Sequence, residues 1–378
     1  MPLDLESARW LEVLTRLGDW FEERKDNFAN LPAYEAELDH LEVWQGHAAR
    51  MSHGREAVRM LWLRAYPHYH RGQFRHAHDL VLSALTLYEE ACVVDLKLEA
   101  HLRNDLAIVL GALGDHRKAL DFQQRALDIR CDIIGEKHSD TAIAINNVGF
   151  LLAELGEHRK ALEYAQRALG IQREVLGEKH PDTARSLNNV GSLLGELGDH
   201  RKALKYKQRA LDIRREVLGE KHPDTARAID SVGGSLGELG DHRKALEYKQ
   251  RALDIHREIL GEKHPDTAKS LNNVGVSLEA VGEFVKAIQH WKMALAVLRD
   301  ALGDRHPHTI LTWENVVTGL LHHRKKAEAL MLVENDLKKF PHNATLKRLK
   351  SEILGKKTSA KAPGRPTASS KKAKPPKR

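Results

Sequence analysis

Residues 177–218 read GEKHPDTARSLNNVGSLLGELGDHRKALKYKQRALDIRREVL, and residues 219–260 repeat them with 33 of 42 positions identical. Replacements such as Leu187 to Ile229 and Val217 to Ile259 keep apolar character. A repeat of this length predicts a stacked array in which each unit buries its apolar face against its neighbours. Within one unit, Pro181, Asp182 and Thr183 suit a first helical turn, where proline is tolerated and an acid opposes the helix dipole. Ala184, Leu187, Val190, Gly191, Leu194 and Leu197 then recur at helical spacing as one apolar stripe. Gly198 and Asp199 break the pattern, as a helix C-terminal glycine and turn residue do. A second stripe follows through Ala203, Tyr206, Ala210, Ile213 and Val217, closing at Gly219. The unit is a helical hairpin, with Gly191, Ala203 and Ala210 small enough at the crossing to let two backbones approach.

Working outward, Gly72, Ala77 and Ala84 lie 42 residues before Gly114, Ala119 and Ala126. The series continues at Gly156, Ala161 and Ala168, then at Gly198, Gly240 and Gly282. Seven units of 42 residues cover 57–350, the first and last of them diverged. Residues 1–56 read as an N-terminal helical cap or a degenerate repeat. One helix is predicted over 3–24, with Trp10, Leu11, Leu14, Leu17 and Phe21 on one side, and another through Tyr34, Leu38, Leu41 and Trp44. Leu346, Leu349, Ile353 and Leu354 predict a closing helix that ends within 351–355. Residues 356–378 hold no large apolar side chain and are predicted to be a disordered basic tail.

The Leu197-Gly198-Asp199 turn with Gly191, Ala203 and Ala210 resembles the small-residue signature of tetratricopeptide repeats. The LGEKHPDTA-x-SLNNVG string and the 42-residue period resemble the kinesin-light-chain-like subclass of that family. The resemblance implies an all-α, right-handed solenoid whose first helices line a concave groove, and a role in binding other proteins.

Composition agrees with a helical array. The chain has 378 residues, 42% of them hydrophobic but only 5% aromatic, with 12 prolines. The net charge of +7 is unevenly placed: the tail carries nine Lys and Arg and no acid, and removing them leaves about −2 for the rest. Cys92 and Cys131 form no pairing motif, which predicts a reducing compartment. With neither a basic and apolar leader pattern nor 18 consecutive apolar residues, the expectation is a cytoplasmic protein with no membrane contact, or a nuclear one if the host has a nucleus.

The site expectation falls on the other side of each first helix. Arg185, Asn188, Asn189, Ser192 and Glu196 cluster opposite the Ala184–Leu197 stripe. Stacking aligns equivalent positions at roughly 10 Å intervals, about one helix-packing distance. One column holds Asn146, Asn188, Asp230 and Asn272, and the next Asn147, Asn189, Ser231 and Asn273. Beside them run Arg185, Arg227 and Lys269. Asn amides can pair with a peptide backbone, and the cations favour an acidic ligand. The predicted partner is therefore an extended acidic peptide with an apolar anchor. The competing reading gives the asparagines a capping or packing role within the array.

Other chemistries find little support. Walker, dinucleotide, G-x-S-x-G and HExxH motifs are all missing, so neither a catalytic site nor a cofactor is expected. Most of the 23 histidines are periodic and read as solvated loop residues, which cannot converge on one metal ion. The cluster His68, His70, His76, His78 and Asp79 lacks zinc-type spacing. The tail, through Lys371, Lys372, Lys374, Lys377 and Arg378, suits weak sequence-independent contact with nucleic-acid phosphates, which gives the alternative function of a nucleic-acid-associated adaptor.

Overall fold

A computed structural model describes residues 5–24, 35–50, 53–304, 306–339, 341 and 343–355. The tail, with its five proposed nucleic-acid contacts, lies outside the described residues, as does Tyr34. Among the described residues there are helices and turns and no strands. Two compact units are distinguished: residues 1–228 with 300–306, and residues 229–299 with 307–378.

The first unit begins with α1 (Leu5–Arg24) and α2 (Leu38–Arg50), then α3 (Gly54–Leu63), the short α4 (Ala65–His70) and α5 (Phe74–Glu90). Three repeats follow: α6 (Leu96–Ala112) with α7 (His116–Ile134), α8 (Ser139–Glu154) with α9 (His158–Leu176), and α10 (Pro181–Glu196) with α11 (His200–Leu218). From α6 to α11 each helix packs against the next in chain order. Leu14, Phe21 and Leu41 join one apolar cluster with Met60, Trp62 and Leu106. A second cluster runs from Leu127 through Val148 and Leu187 to Ile213. Each fully buried leucine such as Leu187 contributes about 2 kcal/mol by leaving water.

Close packing inside a hairpin depends on glycine. A Cβ at Gly191 would lie 2.8 Å from Lys207 Cγ and 3.1 Å from the Ala203 carbonyl, so any side chain there would separate α10 from α11. The inter-hairpin turn depends on Gly177, whose φ of 85° and ψ of 168° lie in a region essentially reserved for glycine. Buried Thr183 donates from Oγ1 to the Gly177 carbonyl at 2.8 Å, and Thr141 repeats this bond with Gly135.

The loop histidines prove to be structural. His180 Nδ1 accepts the Asp182 backbone N–H at 3.1 Å, and His138 does the same for Asp140. They satisfy donors left open at the helix starts. Two positions of the predicted stripes also differ. Val217 is 46% exposed and Leu197 40% exposed, because each stripe outruns its packing partner in the last helical turn.

In the second unit, α12 (Pro223–Glu238), whose first turns belong to the first unit, leads into α13 (His242–Leu260), α14 (Pro265–Ala280) and α15 (Phe284–Leu302). The unit closes with α16 (Pro307–His322), α17 (Lys326–Lys339) and α18 (Ala344–Ile353). Trp291 fills its core, lodged where a Cβ on Gly275 or Gly319 would overlap the indole. Buried Asp336 accepts from Trp313 Nε1 at 3.0 Å and pairs with Arg299 at 2.9 Å.

Candidate functional site

The asparagine columns are engaged along the array. In the first unit, Asn147 Nδ2 donates to Asn104 Oδ1 at 3.1 Å, and Gln123 Nε2 donates to the same oxygen at 3.2 Å. Asn146 Nδ2 donates to Ser186 Oγ at 2.6 Å, one repeat onward. Asn146 is only 9% exposed, and its Oδ1 is buried without a partner. In the second unit, Asn273 Nδ2 donates to Asp230 Oδ2 at 3.0 Å and Asn315 Nδ2 to Asn272 Oδ1 at 2.9 Å. The backbone carbonyl of Asn272 separately accepts from Trp291 Nε1–H at 3.1 Å. A buried amide held this way staples adjacent repeats, and each such bond contributes about 1 kcal/mol net. Asn188 and Asn189 remain half-buried on α10.

The cations are present but partnered. Arg185 Nη2 meets Asp182 Oδ1 at 3.0 Å, Arg227 Nη1 meets Asp224 Oδ1 at 3.0 Å, and Lys269 Nζ meets Asp266 Oδ1 at 3.0 Å. All three are i,i+3 pairs on partly exposed helix faces, worth a few tenths of a kcal/mol each. The sequence carries this aspartate in four successive units, as Asp140, Asp182, Asp224 and Asp266.

Sequence reasoning missed the start of the same face. Asn104 and Asp105 lie 42 residues before Asn146 and Asn147, so extending the columns by one unit would have found them. Asp105 Oδ2 accepts from Trp62 Nε1 at 2.9 Å and from Tyr66 OH at 2.6 Å. Arg59, 126 residues before Arg185, stands at the same repeat position three units earlier. Its guanidinium reaches Asp19 at 2.7 Å and Glu22 at 3.0 Å, both on α1. Gly18 makes that contact fit, since a Cβ there would lie 2.9 Å from Arg59 Nη1. The residue is only 7% exposed, so its charge is held largely out of water by two carboxylates.

Two hollows mark the face in the first unit. One of about 500 Å³ is lined by Arg55, Arg59, Trp62, Asp95, Lys97 and His101. Arg55 Nε donates to Asp95 Oδ2 at 2.7 Å, and that bond raises the Arg55 pKa above its ordinary value. The other, of about 280 Å³, is walled by Tyr69, Ile108, Gly111, His116, Phe150 and Glu154. Burial pushes the Tyr69 phenol up, as an apolar wall should. Phe150 is 62% exposed, a large apolar surface presented to solvent. The equivalent positions in later units are Ser192, Gly234, Val276 and Thr318.

Among the described residues, no group of three or more His, Cys, Asp or Glu side chains converges as metal ligands do. His68 and His76 stack with centroids 5.6 Å apart, while His68 Nδ1 engages Gln73 and His78 engages Asp79. No described helix is long and apolar enough to cross a membrane.

Two family models described as tetratricopeptide repeat match the chain. One matches residues 140–216, 188–258 and 229–300, and the other residues 100–140. None of the curated proteins matches in sequence. Among solved structures, a Rap protein complexed with competence and sporulation factor is 14% identical, with a TM-score of 0.54, covering 89% of this chain and 97% of its own. BtubC (BKLC) from P. vanneervenii is 25% identical, with a TM-score of 0.49, covering 62% and 92%. A Podosopora anserina putative kinesin light chain with nearly identical repeats is 17% identical, with a TM-score of 0.44, covering 53% and 96%.

Proposed function

Since the chain belongs to the tetratricopeptide repeat family, we propose that it is a non-catalytic scaffold binding an extended acidic segment of a partner protein. The binding face is that of the first helices. Arg185, Asn188, Asn189 and Arg227 serve it in the first unit, with Asn146 and Asn147 shaping its floor; Lys269, Asn272 and Asn273 occupy the equivalent positions in the second.

One observation carries the acidic preference. Arg59 stands at the repeat position of Arg185 and Arg227, and it already holds Asp19 and Glu22 of a helix from outside the repeat register. The array thus contains one instance of its own recognition: a cation of the first-helix face taking carboxylates from a separate segment. The hollow beside Phe150 and Ile108 suits an apolar side chain of the same partner. Because exposed pairs are individually weak, the cations govern association rate and choice of partner more than affinity.

The test is a random-peptide selection on wild-type protein and on the variant carrying Arg185→Glu, Arg227→Glu and Lys269→Glu. Enriched peptides should be rich in Asp and Glu on the wild type and lose that bias on the variant. Identical composition on both would contradict the reading.

A further inference from the structure

The hollow walled by Tyr69 and Phe150 lies at a place that later hairpins fill for themselves. Counting by 42, its Ala107 and Gln123 stand where Gly191 and Lys207 stand in the α10–α11 hairpin. There a lysine stem runs past the helix crossing. Lys207 is 8% exposed, and its Cγ lies 2.8 Å from the place a Cβ on Gly191 would take. In the second unit Lys249 lies in the same way beside Gly233, at 3.1 Å, and Trp291 beside Gly275. The intervening α8–α9 hairpin carries Ala165 at this position. In the α6–α7 hairpin the position goes to Gln123, whose shorter side chain is spent on Asn104 Oδ1 at 3.2 Å. About 280 Å³ beside it is left open.

The rim of the hollow breaks the repeat a second time. One unit onward from Glu154, the Glu196 carboxylate lies 2.9 Å from His158 Nδ1. His116 and Glu154 are the equivalent pair, yet His116 Nδ1 is shielded from solvent without a partner. Among the described residues no cation lies within ion-pair distance of Glu154. Both residues line the hollow. An acidic segment laid along the first-helix face therefore meets a like charge here. A wholly apolar side chain entering the hollow would strip water from that carboxylate and give it nothing in return.

We propose that the hollow takes a lysine side chain of the partner, set within its acidic segment. This rests on the peptide-binding reading above and identifies the side chain that the hollow receives. The four methylenes bury against Ala107, Ile108 and Leu151, and the ammonium meets Glu154 at the rim. Tyr69 and Phe150 add the negative faces of two rings, which attract a cation. Tyr69 is held for this by Phe74, with ring centroids 5.5 Å apart. The partner thus supplies in trans the lysine stem that Lys207 and Lys249 supply within the chain.

The experiment measures affinity of the full chain for Glu-Glu-Ala-Lys-Ala-Glu-Glu and for the same peptide with norleucine, phenylalanine or alanine in place of lysine. Norleucine keeps the stem and loses the ammonium. The lysine peptide should bind about fivefold more tightly than the norleucine peptide, despite its lower net charge. Glu154→Gln, an exposed substitution, should erase that preference. Gln123→Lys places the chain's own lysine in the gap and should reduce every peptide to the level of the alanine one. Norleucine or phenylalanine binding as tightly as lysine overturns the proposal and assigns the hollow to an apolar anchor. A lysine preference that survives Glu154→Gln overturns it too. If all four peptides bind equally, the scaffold reading stands and this inference fails. If none binds, the acidic-segment reading is at fault, and saturation-transfer NMR with n-butylammonium tests the hollow alone. Its methyl signal should receive magnetisation from the wild type and not from Glu154→Gln, and equal transfer from both, or none from either, overturns the proposal.

Discussion

Residues 96–176 and residues 181–228 have the same frame and present different faces. Both have a histidine accepting a helix-start N–H, a buried threonine bonded to a turn carbonyl, and a glycine at the helix crossing, Gly149 or Gly191. On the first-helix face, the earlier segment shows Ile108 and Phe150 around an apolar hollow, whereas the later one shows Ser192 with the ion-paired Arg185 and Arg227. The lesson is a division of labour. Positions facing the neighbouring helix are fixed by packing, and positions facing outward are released to carry the chemistry of recognition. Duplication copies the frame, so function is to be sought where adjacent copies disagree.

The largest effect should come from breaking the frame. Gly191→Leu forces a side chain against Lys207 and the Ala203 carbonyl, and should cost about 3 kcal/mol in urea unfolding. A loss below about 0.5 kcal/mol would mean that the crossing is looser than its geometry. Next comes the asparagine ladder. Asn146→Ala removes the bond to Ser186 from a buried site and should cost about 1 kcal/mol, while Asn189→Ala, half-buried on α10, should stay within about 0.5 kcal/mol. Equal costs would erase the distinction between stapling and surface asparagines. Phe150→Ser makes the earlier segment resemble the later one and, because the ring is largely exposed, should shift stability by no more than about 0.5 kcal/mol.

This sequence discloses its frame well, because a helix pair that must bury itself against copies of itself writes its contacts at a fixed period. The hairpins, the turn glycines and the small residues at crossings were all legible in 177–218. The face was legible only in outline. Columns of Asn and Arg are visible, but not that Asn147 bonds Asn104 or that each groove cation leans on an aspartate three residues before it, since those are choices of rotamer and partner. The landing of Asp19 and Glu22 on Arg59 was hidden altogether. It joins a non-repeating segment to the array, and no periodicity reports such a contact. The histidine caps were misread for the opposite reason: their periodicity was plain, and their acceptor role depends on ring orientation.

The smallest effect is expected from the tail. Ending the chain at Gly355 removes nine cations and should abolish weak, salt-sensitive binding to a labelled DNA duplex without shifting the unfolding midpoint. Undiminished duplex binding would move that contact onto the array.

The most direct measurement is the salt dependence of affinity for a peptide selected on the wild-type protein, compared between Arg185→Glu, Arg227→Glu and Phe150→Ser. If the two segments divide the work, charge reversal should weaken binding and flatten its dependence on salt, because counterion screening acts on the pairs it removes. Phe150→Ser should weaken binding by a similar factor and leave the salt dependence of the wild type intact. The same change in salt dependence for both variants, or none for either, would contradict the account.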